Sequence, residues 1–276
     1  MSAFAVRFIY RLFGLLAMLA VLRPAGAMAS EQVIDVPLAQ GASIAYLLTQ
    51  QDGSQPRSIL VMMPGSTGNL ELSQQPGGAI HLRERNNFLI RARHLFVDNQ
   101  FATAIVDAPS DQSGGYSDAF RASARAAQDL AQVAADLRKR FPKARLVLVG
   151  TSRGTISTAY AGRALPDVWD AVVHTSTLSS PARGQATPMI GFDYGAISAR
   201  QLFVHHADDG CFLCSYEALR RIAESRQYAL ITVHGGDARG EPCGALSHHG
   251  FYGRDEAVVA AIKAWISGQP WQDDVG

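Results

Sequence analysis

The chain carries almost no net charge and no dense run of basic residues. Its 276 residues hold 25 Lys and Arg against 24 Asp and Glu, a formal net charge of +1. A surface that tracks phosphates needs clustered cations, so nucleic acid is not an expected partner. Cysteine is scarce as well: Cys211, Cys214 and Cys243 are the whole complement. "CFLC" (211–214) is a lone Cys-x-x-Cys with no second pair to complete a zinc site, and it follows an acidic turn late in the chain, outside the context of a thioredoxin-like motif. Internal repeats and long low-complexity linkers are lacking. Beyond residue 29 no apolar run approaches the ~20 residues that span a bilayer. "GSTGN" (65–69) lacks the Lys and the spacing of a phosphate-binding loop.

What is present points to a sizeable core. Hydrophobic residues make up 47% and charged residues 18%, a globular profile, and the length suits one large α/β domain. The N-terminus reads differently. Arg7 and Arg11 accompany the apolar run "FIYRLFGLLAMLAVL", and the small residues of "RPAGAMAS" follow. That order predicts a secretory signal peptide over 1–29, cleaved after Ala27-Met28-Ala29, with Ala25-Gly26-Ala27 as the other site. A single domain over 30–276 then works in a periplasmic or secreted setting, with no stable membrane insertion. Export permits one disulfide and leaves one thiol over.

Along that domain, short apolar runs alternate with amphipathic ones. Strands are expected at 43–50 (an edge strand), 58–64, 101–109, 145–150, 169–176, 201–206 and 228–235. Helices are expected at 86–99, 121–141, from 154, at 215–225 and at 255–267. Such alternation predicts an α/β fold with a mostly parallel central sheet covered by helices on both faces. The continuous apolar runs suit strands buried on both sides.

"RLVLVGTSRGTIS" (145–157) places Gly150-Thr151-Ser152-Arg153-Gly154 between a predicted strand and a predicted helix, the setting in which Gly-x-Ser-x-Gly is a nucleophile elbow. A sharp turn there leaves no room for side chains flanking the serine. With this motif, the chain resembles the α/β-hydrolase superfamily over roughly 33–270. "NNFLIRARHLF", "VDAPSD", "GTSRGT", "HHADDGC" and "SHHGFYG" look like a group of small exported bacterial hydrolases of unsettled substrate. The resemblance implies the order nucleophile, acid, histidine. Ser152 is then the nucleophile. The acid falls in "HHADDGC", at Asp209 with Asp208 as neighbour, and the base in "GALSHHGFYG", at His249 with His248 as runner-up. His205 and His206 are expected to pack or hydrogen-bond nearby. The oxyanion donors would be the backbone N–H groups of Arg153 and Ser66, although "PGSTGN" stands where many relatives carry His-Gly. Arg153 and Tyr116 are candidates to shape the pocket.

The resemblance also places the acid loop beside the histidine loop. A Cys211–Cys243 disulfide is expected to join them, with Cys214 left free; Cys214–Cys243 is the competing pair. No metal or other cofactor is expected, since the pairs His205-His206 and His248-His249 point side chains apart on an extended backbone. The implied activity is serine hydrolysis of a small carboxylic ester through an acyl-enzyme. A catalytically silent binding protein and a peptidase or amidase are the alternatives. The insertion at 178–198 is short, so only a minimal lid is expected.

Overall fold

The computed structural model describes residues 29–179 and 188–276, so the expected signal peptide, up to its last residue, and the middle of the 178–198 insertion lie outside the described residues. In chain order the first strands are β1 (Ala29–Pro37), β2 (Ser43–Gln51), β3 (Ser58–Met63), β4 (Ser73–Gln74), β5 (Ile80–His81) and β6 (Phe101–Val106). There follow β7 (Arg145–Thr151), β8 (Ala171–Thr175), β9 (Arg200–His206), β10 (Ala229–Val233) and β11 (Asp274–Val275). Nine of them form one sheet in the order β1-β2-β6-β3-β7-β8-β9-β10-β11, while β4 and β5 make a separate short pair. Pairing is antiparallel for β1–β2 and β2–β6 and parallel from there on.

Every residue of β3, β6 and β8 is buried. Successive side chains point to opposite faces of a sheet, so each strand feeds two cores. Ile59, Val61, Leu146 and Leu148 pack on one side with Leu130 and Val133; Leu60, Met62, Val147 and Val149 pack on the other with Ile262 and Trp265. Each fully buried aliphatic side chain stabilises by roughly 1.5–3 kcal/mol before entropy is counted. The helices are α1 (Phe88–Arg91), α2 (Arg93–Phe96), α3 (Asp118–Arg121), α4 (Ala124–Arg140), α5 (Gly154–Ala164), α6 (Tyr216–Arg226) and α7 (Asp255–Ser267).

Three expectations need correction. The strand at 43–50 is not the edge, because β1 pairs along its whole length. The helix expected over 86–99 is two short ones interrupted at Ala92, where the backbone turns to ψ −2°. The helix expected from 121 starts at 124: the Ser123 hydroxyl caps the Ala126 N–H, and Arg121 ends the separate turn α3, buried.

Candidate active site

Gly150 to Gly154 form the turn from β7 into α5, and Ser152 sits in it with φ +52°. A left-handed conformation at a non-glycine residue costs of order 1–3 kcal/mol and must be enforced by its surroundings. Here the enforcement is visible. The Ser152 N–H donates to the Thr175 carbonyl at 3.0 Å, and the Thr155 hydroxyl donates to the Ser152 carbonyl at 2.6 Å. Both flanking glycines are sterically required. A Cβ at Gly150 would lie 2.6 Å from the Gly154 carbonyl oxygen, and one at Gly154 would overlap the carbonyl oxygen of Met63.

Asp209 follows β9 and His249 lies between β10 and α7, so both emerge beside Ser152 at the carboxyl ends of neighbouring parallel strands. The His249 Nδ1–H donates to Asp209 Oδ2 at 2.9 Å, which leaves Nε2 without a protein partner among the described residues. Three contacts fix the histidine loop. His249 N–H donates to Ser247 Oγ at 3.2 Å, Ser176 Oγ donates to the His249 carbonyl at 2.6 Å, and Phe251 packs on Phe88 with ring centroids 5.0 Å apart. Asp209 Oδ1 accepts the Cys211 N–H at 2.9 Å. A second ring also serves this carboxylate: His205 Nε2 lies 3.1 Å from Oδ2 and 3.1 Å from the Cys214 carbonyl. Burial would push the Asp209 carboxyl up, but hydrogen bonds from His205 and His249, and their charges, bring it down to about 2.

Ser152 and His249 share one cavity of about 240 Å³, walled also by Gly65, Ser66, Glu84 and Phe88. Among the described residues no hydrogen bond joins Ser152 Oγ to His249, a contact that commonly tightens only when substrate is bound. A Cβ at Gly65 would be 3.0 Å from Ser152 Cβ and 3.6 Å from its Oγ, so the loop after β3 lies directly against the serine. Neither the Ser66 nor the Arg153 backbone N–H has a protein acceptor among the described residues. Among the described residues, Glu84 is the one carboxylate in the cavity wall, and no Lys or Arg lines it.

Sulfur chemistry joins the same two loops. Cys211 and Cys243 form a disulfide with Cα atoms 4.4 Å apart, and Cys214 is a free, buried thiol whose burial raises its pKa well above the ordinary range. Cys211, Cys214 and His249 lie close enough to share an ion, yet Cys211 is already bonded and the His249 Nδ1 is taken by Asp209. His206, Asp208 and His248 form a second such group. There the two rings stack face to face at 4.2 Å, and both nitrogens of His206 are engaged, by the Gly235 carbonyl at 2.7 Å and the Asp208 N–H at 3.0 Å. A metal binds in the plane of an imidazole, so stacked rings with committed nitrogens make a poor site.

No family model matches the sequence, and no curated protein matches it. Solved structures do match. A lidless α/β serine hydrolase from Xanthomonas campestris superposes with a TM-score of 0.59 at 13% identity, covering 87% of this chain and 94% of that one. Est1E from Butyrivibrio proteoclasticus gives 0.57 at 15%, covering 86% and 98%. The chain has the α/β-hydrolase fold. An esterase from Pyrococcus furiosus is similar in the same way, at 0.55 and 13% identity over 87% and 93%.

Within this hydrolase fold, two residues near the serine escaped the sequence reading. The sequence puts His205 near the site, but not as a second donor to Asp209; its spacing of four from the acid in "HHADD" is the available signal. Arg121 gave none, since an arginine at the start of an amphipathic stretch reads as exposed. Tyr116 does not line the cavity: it is buried behind the loop, its N–H on the Thr67 carbonyl at 2.7 Å and its ring under Arg121.

Proposed function

We propose that the protein is a secreted or periplasmic serine hydrolase acting on small carboxylic esters. One observation carries this reading: a serine in a strained strand-to-helix turn shares a cavity with a histidine whose Nδ1 is held by a buried carboxylate. In the proposed reaction, Ser152 Oγ attacks the ester carbonyl as its proton passes to His249 Nε2. Asp209 holds the tautomer and balances the imidazolium. The oxyanion is received by the Ser66 and Arg153 N–H groups, which lack other acceptors among the described residues, and by the positive end of α5. The imidazolium then protonates the leaving alkoxide as the C–O bond breaks. Water, deprotonated by His249, releases the acid from the acyl-enzyme.

The small cavity favours short acyl chains, since drug-sized ligands occupy pockets of roughly 300–1,000 Å³. Similar folds include proteins named as a serine hydrolase and an esterase, and Est1E is also known with ferulic acid bound. Export is inferred from the signal-like segment 1–29 and is in keeping with the disulfide, which persists in oxidising compartments. The test is labelling by a fluorophosphonate together with a series of p-nitrophenyl esters from acetate to laurate. Labelling at Ser152 and fastest turnover of the short esters are expected. An unlabelled, folded protein would leave a binding protein that keeps the fold.

A further inference from the structure

Arg121 is the largest fully buried side chain, 1% exposed, and it has no carboxylate within ion-pair distance among the described residues. Its guanidinium instead faces carbonyls and a hydroxyl. Nη2 donates to the Pro64 carbonyl at 3.2 Å and to the Ser66 carbonyl at 3.4 Å, and Nη1 donates to Ser157 Oγ at 3.0 Å. The Tyr116 ring lies 4.6 Å from its central carbon. Nε is buried without a partner. The loop is shaped around this group: Gly68 has φ +61°, and a Cβ there would come within 2.7 Å of Arg121 Nη2.

A buried, unpaired cation is costly, and hydrophobic replacement of buried charge is often stabilising. Burial lowers the guanidinium to about 10, so it remains charged at neutral pH. Packing alone does not call for a charge here. The loop it grips is the one that lies against Ser152, and its third partner is on α5, one turn past the serine. The Pro64 and Ser66 carbonyls are both held by the guanidinium, and the Gly65–Ser66 peptide between them carries the Ser66 N–H, which has no acceptor among the described residues.

We infer that Arg121 is the positioning residue of the oxyanion site: it fixes the 64–66 loop against α5 and places a permanent positive charge behind the N–H groups that meet the developing oxyanion. This rests on the proposed serine-hydrolase reading. Asp118, the carboxylate that acts on Arg121 from beyond contact, is itself paired with Arg153, so charge that develops in the transition state is what Arg121 is left to meet, and its contribution falls on turnover rather than on ground-state binding.

The experiment compares wild type, Arg121→Met and Arg121→Lys with p-nitrophenyl acetate, a boronic-acid transition-state analogue and thermal melting. Wild-type labelling by fluorophosphonate tests the underlying reading separately; if it fails, that reading falls whatever Arg121 does. With labelling intact, Arg121→Met is expected to lower kcat about 30-fold with KM within about threefold, and to weaken the boronate by a similar factor. Removal of an oxyanion donor itself costs about 10²–10³. Arg121→Lys, which keeps the charge but not the fork, should recover part of that loss. A folded Arg121→Met with kcat within twofold of wild type would overturn the proposal, as would a loss confined to KM. If the Met variant does not fold, Arg121→Lys decides: a kcat loss matched by weaker boronate binding supports the assignment, and unchanged values for both overturn it.

Discussion

Asp209→Asn puts the acid–histidine contact under the sharpest strain, because the structure dictates how the amide must sit. Oδ1 accepts the Cys211 N–H and Oδ2 faces two ring nitrogens. The backbone donor keeps the amide oxygen at the first position, which turns the NH2 toward both histidines. His249 can then pair only as the other tautomer, with its Nε2 protonated and unable to take the serine proton. A kcat loss of about 10⁴ is expected, as for a triad aspartate replaced by asparagine. Stability should change too. The Asp209 side chain is fully inaccessible, and the drop from 3.8 to about 2, at ~1.4 kcal/mol per pH unit, corresponds to roughly 2–3 kcal/mol. Because the folded value is the lower one, this stabilisation is present above pH ~4 and is lost as the pH falls toward 2. Urea unfolding of wild type and variant from pH 5 to 2 reads the difference, and ester turnover at pH 7–8 reads kcat. Asp208→Asn, whose backbone rather than carboxylate contacts the histidines, should stay within a few-fold. Turnover above a few per cent in Asp209→Asn, or a stability gap that does not shrink with falling pH, would refute the reasoning.

Ser152→Ala should abolish ester hydrolysis, by a factor on the order of 10⁶, while circular dichroism and melting show the fold retained. Cys243→Ser opens a loop of sequence separation 32, for which the chain-entropy relation gives about 3–4 kcal/mol; denaturant midpoints should fall accordingly, kcat should drop, and non-reducing peptide maps should lose the Cys211–Cys243 fragment. Glu84→Gln should raise kcat/KM for a hemisuccinate ester roughly tenfold relative to the matching neutral ester, since Glu84 is the lone carboxylate of the wall. An unchanged ratio would remove Glu84 from substrate selection.

The parallel strands were legible because burial on both faces writes itself as unbroken apolar runs: "SILVMM" and "FATAIV" are entirely buried. The last helix matches its expected span, 255–267. Elements held by tertiary pairing were not legible. β1 carries Glu31, Gln32 and Asp35 among its apolar residues and is a strand because β2 offers it an edge. Ser123 in "RASARAAQ" was a readable cap that the apolar periodicity overrode. At the site, Ser152 could be located from its glycines, whereas the partners of Asp209 and the grip of Arg121 depend on strands and turns far apart in sequence.

The Cys211–Cys243 bond has a consequence for where the protein is active. It ties the loop bearing Asp209 to the loop bearing His249. With both thiols reduced, the two loops would keep the Asp209–His249 hydrogen bond but lose their covalent tie. A copy retained in a reducing cytoplasm would then be folded yet slow, and would gain full speed only on reaching a compartment where thiols oxidise. If the protein is the exported ester hydrolase proposed above, the producing cell would in this way be spared hydrolysis of its own esters during transit.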